Sequence, residues 1–237
     1  MNETIQVLMN RKSVRVFEDK EISPEIKDII LAAAMRAPTG GNCMPYSSID
    51  VTDQSIKDKL AETCDHQPFI AQAKMVLIFC ADYHRWYRKF KMAGCEDIPA
   101  PELSNMVLAT EDAVIAAHTA CIAAESLGIG SCYIGDIVEN FEIHKELLNL
   151  PPQVAPLCML VFGYPTQQQK ERKQTTRFAK SSIVFENRYR ELSEEELLEM
   201  MPNDRTKAFY NRKYVSEFAQ EMVRSTKEIY KNWNSKE

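Results

Sequence analysis

The 237 residues are 45% hydrophobic and 27% charged, the make-up of an ordinary folded protein with room for one sizeable domain or two small ones. A net charge of -5 and a pI near 5.6 exclude a dominant nucleic-acid surface, because phosphate binding needs a basic excess. The opening MNETIQVLMN has neither a basic nor an apolar leader segment, and no stretch approaches the roughly 18 apolar residues of a membrane helix, so no membrane association and a cytoplasmic location are expected.

A first short helix precedes Arg11. Ser23-Pro24-Glu25 then supplies a cap and a first-turn proline, and Ile26, Ile29, Ile30, Ala33 and Ala34 follow at helical spacing until Ala37-Pro38. After the turn Thr39-Gly40-Gly41-Asn42, the pattern predicts a strand over Ser47 to Val51, a helix from Asp53 to Thr63 and a buried strand from Met75 to Ala81. Trp86, amid Tyr83, Arg85, Arg88 and Lys89, reads as part of an amphipathic helix rather than a base-stacking platform. Ser104 to Leu127 is the longest helical pattern, rich in alanine and closed by Gly128. A strand at Ser131 to Ile134, a helix at Phe141 to Leu150 and a strand at Ala155 to Phe162 complete an α+β core.

Beyond Gly163-Tyr164-Pro165 comes a polar, basic loop with Lys170, Arg172, Lys173 and Arg177, then strand-like Ile183-Val184-Phe185. Ser193 and Glu196 form a capping box for another helix, and from Lys207 the tail reads as wholly helical, with Phe209, Tyr210, Tyr214, Phe218, Met222 and Ile229 as its apolar stripe. No internal repeat or low-complexity linker interrupts the chain, which implies one domain over 1–190 and a helical C-terminal extension over 191–237.

Seven cysteines, odd in number and without a C-x-x-C pair, read as reduced thiols, and four histidines (His66, His84, His118, His144) show no metal spacing. Six of the seven glycines fall in three places: Gly40-Gly41, Gly128 with Gly130 and Gly135, and Gly163. Such turns serve either as caps or as backbone that approaches a ligand closely. Two basic loops, Arg11-Lys12-Ser13-Val14-Arg15 and Lys170 to Arg177, are either solvated surface or, together, a clamp for one dianion through charge-assisted hydrogen bonds.

Arg11-Lys-Ser-Val-Arg15, Ala37-Pro-Thr-Gly-Gly-Asn42, Leu127-Gly-Ile-Gly-Ser-Cys-Tyr-Ile-Gly135 and Phe162-Gly-Tyr-Pro165, in this order and spacing, resemble the nitroreductase superfamily. His66-Gln67 and Phe79-Cys-Ala-Asp82 are similar to its oxygen-insensitive NADPH nitroreductase and flavin reductase P branch, and the likeness covers Thr4 to Arg190. The resemblance implies a nitroreductase-like α+β sandwich: a mixed or antiparallel sheet flanked by helices, a long central helix that forms a homodimer, and a C-terminal extension packed on the dimer. FMN would sit in the dimer interface.

Carried over position by position, Arg11, Lys12, Ser13 and Arg15 would hold the FMN phosphate, ribityl chain and pyrimidine edge. Arg177 would be a second phosphate clamp with Lys173 assisting, and Thr39, Gly40 and Asn42 would come from the partner subunit. Gln67 would hydrogen-bond the flavin ring, against which Tyr133, Ile134 and Gly135 would lie. Met44 stands where many relatives have glutamine, Asp136 replaces the second glycine of Tyr-Ile-Gly-Gly, and Thr175 occupies the position of a phosphate-binding lysine in a loop that is a few residues longer.

The resemblance further implies hydride transfer from NADPH or NADH to nitroaromatic, quinone or related small-molecule acceptors in a ping-pong cycle, with no catalytic side chain because the flavin carries the chemistry. A cation such as Arg15 or Lys173 would stabilise the reduced ring. Arg212-Lys213 matches the basic segment that relatives use for NADPH, or is solvated helix surface. A flavin reductase, and an FMN-binding sensor or storage protein with little turnover, are the alternatives.

Overall fold

The computed structural model describes residues 1–235 and divides the chain into two compact units. The first comprises Met1–Arg172 with the C-terminal stretch from Arg224, and the second is Lys173–Val223. The expected boundary after Arg190 lies inside the second unit, and Lys236 and Glu237 lie outside the described residues.

In chain order the first unit holds α1 (Glu3–Asn10), α2 (Pro24–Met35), β1 (Tyr46–Asp50), α3 (Gln54–Thr63), α4 (Phe69–Gln72), β2 (Met75–Asp82), α5 (His84–Met92), α6 (Leu103–Ser126), β3 (Gly130–Ile134), α7 (Phe141–Leu147), β4 (Val154–Gly163) and α8 (Gln167–Glu171). The strands form one antiparallel sheet in the order β1-β2-β4-β3, which resolves the mixed-or-antiparallel expectation. Every residue of the inner strand β2 is buried, which explains its unbroken apolar run: a strand covered on both faces has no reason to alternate.

On one face Ile30 and Ala34 of α2 and Ala113, Ala116, Ala117, Ala120 and Ala124 of α6 pack with Leu77, Phe79, Leu160 and Phe162. On the other, Leu60 of α3 and Ile70 of α4 pack with Val76, Ile78, Met159 and Val161. Alanine spacing brings α6 close to the sheet, while Leu103, Val107, Leu108, Val114 and Ile115 of the same helix remain exposed. By length and mean hydropathy (1.4) α6 is apolar enough to cross a membrane, which corrects the expectation that no stretch approaches this limit. Gly128, at φ +74, ends α6 as a Schellman cap: its N–H donates to Glu125 O (3.0 Å) and that of Ile129 to Ala124 O (2.9 Å). Its role is therefore that of a cap.

The chain's last helix, α11 (Glu217–Trp233), contributes Ile229 and Trp233 to a third cluster with Ala81, Ala109, Phe141 and Ala155. Arg224 grips Glu142 through two bonds of 2.7 and 2.9 Å, and Trp233 Nε1 donates to Glu102 O (3.2 Å).

The second unit contains α9 (Glu194–Met200) and α10 (Asn203–Tyr210). The expected strand at Ile183-Val184-Phe185 does not form. A 3-10 turn at Lys180–Ser182 leads into it, no described strand pairs with it, and Ile183 and Val184 are 62% and 58% exposed. The wholly helical tail is also corrected: a π turn at Asn211–Val215 and extended Ser216 (φ -64, ψ 161) separate α10 from α11, and the Ser216 hydroxyl caps Ala219 N (3.3 Å).

Candidate functional site

The first basic loop is built onto the edge of the sheet. Ser13 pairs with Ser131 in a parallel bridge beside β3, Val14 N donates to Ser131 O (2.8 Å), and Phe17 bridges to Pro165. Two glycines make the docking possible. A Cβ on Gly130 would lie 2.5 Å from Val14 Cγ2, and one on Gly163 would lie 2.6 Å from the Phe17 ring. Backbone polarity at the edge of β3 is thus satisfied by the segment that carries the cations.

The cations of this segment differ in what they already hold. Lys12 Nζ donates to Lys170 O and Arg172 O, both at 2.6 Å, while Arg172 returns a guanidinium bond to Ser13 O. Arg15 N donates to Gln169 Oε1 (3.4 Å), and its guanidinium lies 6.0 Å from the Phe69 ring centroid. Burial pushes the Cys132 thiol up, and the positive charge of Arg15 works against that shift. Burial likewise raises Glu125, and the positive charges of Arg11 and Lys12 oppose that shift.

The glycine-rich turn is anchored from inside by a residue that the sequence motifs do not single out. Asp112, 7% exposed on α6, accepts from the Thr39 hydroxyl and from Gly40 N (3.2 Å to each oxygen). The Thr39 hydroxyl oxygen in turn accepts from Met44 N (2.9 Å). From outside, Trp86 Nε1 donates to Cys43 O and Arg85 to Met44 O, both at 2.9 Å. Gly41, Asn42 and Met44 all have positive φ (58, 57 and 46), so the turn is held in a left-handed conformation that only glycine adopts freely. Met44 packs partly buried against the α2–α6 core.

Gln67 is presented by a second left-handed pair, Asp65 (φ 56) and His66 (φ 49), just past α3. Its Nε2 donates to Cys64 O (2.9 Å) and to Asp136 Oδ2 (3.0 Å). Beneath it, fully buried His144 joins Thr63 Oγ1 (2.8 Å) at Nε2 and Ile137 O (2.9 Å) at Nδ1. Burial depresses the imidazole, so it is neutral, and because a carbonyl only accepts, Nδ1 carries the proton.

Ile134 is buried in the sheet core, and Gly135, one residue on, has open space where a side chain would be. The Tyr133 hydroxyl is buried without a hydrogen-bond partner, burial pushes it well up, and the Arg11 charge opposes that shift. Arg11, Lys12, Ser13, Arg15, Thr39, Gly40, Asn42, Gln67, Tyr133, Ile134 and Gly135 thus all belong to the sheet unit.

Lys173, Arg177, Arg212 and Lys213 belong to the second unit. There Arg177 turns back on its own loop, donating to Thr175 O (3.1 Å) and Oγ1 (3.0 Å), and Lys213 lies 4.7 Å above the Phe218 ring. Asp112 and Trp86 were legible in principle: a carboxylate on the buried side of an alanine-rich helix, and an indole just past β2.

A model of the nitroreductase family matches residues 8–164, which include all four motifs except Pro165. The chain is 34% identical to a Cr(VI) reductase of Pseudomonas sp., with 87% of this chain and 83% of that protein covered. It is 32% identical to an FMN reductase (NADPH) of Bacillus subtilis, covering 80% and 75%. The NADPH:FMN oxidoreductase from Vibrio harveyi complexed with NAD+ superposes with a TM-score of 0.81 at 26% identity, over 97% of this chain and 98% of that one. Motifs, fold and relatives agree, and the chain belongs to the nitroreductase family.

Proposed function

We propose that this protein is an FMN-dependent oxidoreductase that passes hydride from NADPH or NADH to nitroaromatic, quinone or related acceptors by a ping-pong mechanism. The observation that carries the reading is the docking of Arg11–Arg15 on β3, which joins a cationic segment to the strand ending at Gly135. The residues present fit FMN. Arg11 and Arg15 offer guanidinium forks for a phosphate or a pyrimidine edge, the Tyr133 hydroxyl is an orphaned buried donor, and Gly40 and Gly135 leave open room beside the backbone.

When bound, FMN supplies the hydride chemistry, so the chain contributes binding, orientation and charge. Arg15 would supply positive charge there, which stabilises a reduced flavin. Lys12 and Arg172 fix the first basic loop against the α8 end, which pre-organises Ser13 and Arg15. Lys173 and Arg177 add the second phosphate clamp, and Arg212 and Lys213 take the dinucleotide phosphates.

The working form is a homodimer. Exposed Val107, Leu108, Val114 and Ile115, which share one side of α6, support this, since exposed apolar residues on a core helix suit a second copy. Thr39, Gly40 and Asn42 then serve the partner's cofactor, and residues 191–237 pack on the dimer as an extension of the 1–190 domain. Seven free thiols, five of them buried, suit a reducing cytoplasm.

Flavin reduction, with free FMN as the acceptor, is the second reading, favoured by the likeness to the B. subtilis FMN reductase. Anaerobic titration with NADPH and with NADH tests both. Rapid bleaching of a yellow, dimeric protein that then reduces a nitroaromatic supports the first, and transfer to free FMN alone supports the second. A colourless protein that takes up no FMN overturns both.

A further inference from the structure

The Gln67 amide has only one orientation compatible with its neighbours. Cys64 O and the Asp136 carboxylate both accept hydrogen bonds and cannot donate, so the atom facing them is Nε2. Both Nε2 hydrogens are then committed, at 2.9 and 3.0 Å. What remains of the amide is Oε1, an acceptor, on a half-buried side chain. Rotating the amide to present its nitrogen instead would turn Oε1 onto two acceptors, which repel it.

The surroundings keep this arrangement rigid. The end of α3 is tied to the stretch that carries Asp136 by Asn140 Nδ2 donating to Thr63 O (2.9 Å) and by His144 bridging Thr63 and Ile137. These bonds sustain the left-handed pair Asp65-His66, which is strained for residues other than glycine and persists only when its surroundings fix it. A glycine at position 136, as in the pattern this chain departs from, would have no carboxylate for Nε2.

We propose that Asp136 is a positioning residue for the cofactor: it fixes Gln67 as a hydrogen-bond acceptor toward the flavin ring, so that this contact recognises a ring N–H. The proposal rests on the FMN reading above. Oxidised FMN has an N–H at N3, and its reduced form gains another at N5, so an obligate acceptor discriminates at one of these two places. A neutral glutamine free to rotate would serve ring oxygens as readily as ring N–H groups.

The test uses the flavin-loaded protein. Holoenzyme is equilibrated with mixtures of FMN and its 3-methyl analogue, which lacks the N3 hydrogen, and the bound ratio is read after gel filtration. The midpoint potential of bound FMN is measured alongside. One net hydrogen bond predicts a preference of about fivefold, either for FMN over the analogue or for reduced over oxidised FMN. Gln67→Ala and Asp136→Ala lose that preference, whereas Asp136→Asn retains it, because its amide oxygen still accepts from Nε2. Wild-type protein that binds FMN, with neither preference altered in Asp136→Ala, overturns this inference alone. Wild-type protein that binds no FMN overturns it together with the reading on which it rests.

Discussion

The two units hold their chain by different means. The sheet unit encloses Phe79, Phe162, Ile134 and Trp233 almost completely, and its functional turns are tied by buried partners such as Asp112 and His144. In the second unit Ala219 is the one residue of the buried core, and Phe178, Ile183, Val184, Tyr210 and Tyr214 remain exposed. There, order comes from local devices: the Ser193–Glu196 capping box, the Arg190–Glu196 ion pair at 2.6 Å, and stacked Tyr210 and Tyr214 rings 5.9 Å apart. The glycine turns and the first basic loop thus belong to the part with the buried core. The second unit is held by local contacts, with little buried apolar surface of its own.

The sharpest break in this comparison comes from core truncation. Phe162→Ala should cost about 3–5 kcal/mol in denaturant unfolding, whereas Tyr214→Ala in the second unit should stay within about 0.5 kcal/mol. Comparable losses at both sites would mean that the second unit shares the core's cooperativity.

Gly130→Ala forces a methyl group into Val14 and should destabilise the protein by about 1–3 kcal/mol. The same variant should release flavin, because the cationic segment docks through that contact. Chemical denaturation together with flavin fluorescence separates the two effects. Full flavin retention would disconnect the segment from the cofactor.

Asp112→Ala leaves Gly40 N and the Thr39 hydroxyl without their buried acceptor and should cost about 1–3 kcal/mol. Asp112→Asn should recover part of this. Thermal unfolding of both variants decides the matter.

His144 gives the sheet unit a pH dependence. Its folded pKa lies below the ordinary 6.5, so under acid conditions the unfolded chain binds the proton more readily. Its contribution is complete above pH 6.5 and declines as the pH falls below that value. The melting temperature should drop there in the wild type, and His144→Gln should flatten that portion of the profile.

A local effect is expected at Ser193→Ala, which removes an exposed helix cap worth about 1 kcal/mol to α9. Proteolysis within 173–223 should quicken while the global transition hardly moves. A global shift as large as that of Gly130→Ala would dissolve the distinction between the units.

Most elements of the sheet unit were legible because their signals are local. Ser23-Pro24 starts α2, and its Oγ accepts from Ile26 N as a cap does; the apolar run at Met75 is β2; Gly128 closes α6. Ile183-Val184-Phe185 misled because apolar β-branched residues look like a strand whether or not a partner strand exists. The break at Asn211–Val215 escaped because its residues suit a helix, and only Ser216 departs from one.

The candidate site divides along the same line. The cationic loop and the glycine turns were visible as motifs, because residue type and spacing report directly on charge and on backbone freedom. Their fastenings were not: Asp112 lies 72 residues from Gly40, and Asp136 lies 69 from Gln67.

By itself, the sequence determined the family, the α+β class, the cations of the first loop and the places where backbone must turn left-handed. Tertiary structure alone decided that Asp112 holds the Thr39 turn, that Lys12 is occupied by carbonyls, and that Gln67 gives its amide hydrogens to Cys64 O and Asp136. Charge and conformational preference are properties of a residue and its neighbours in the chain. A hydrogen-bond partner is a property of distance in space, and folding brings together groups whose separation in sequence carries no local signal.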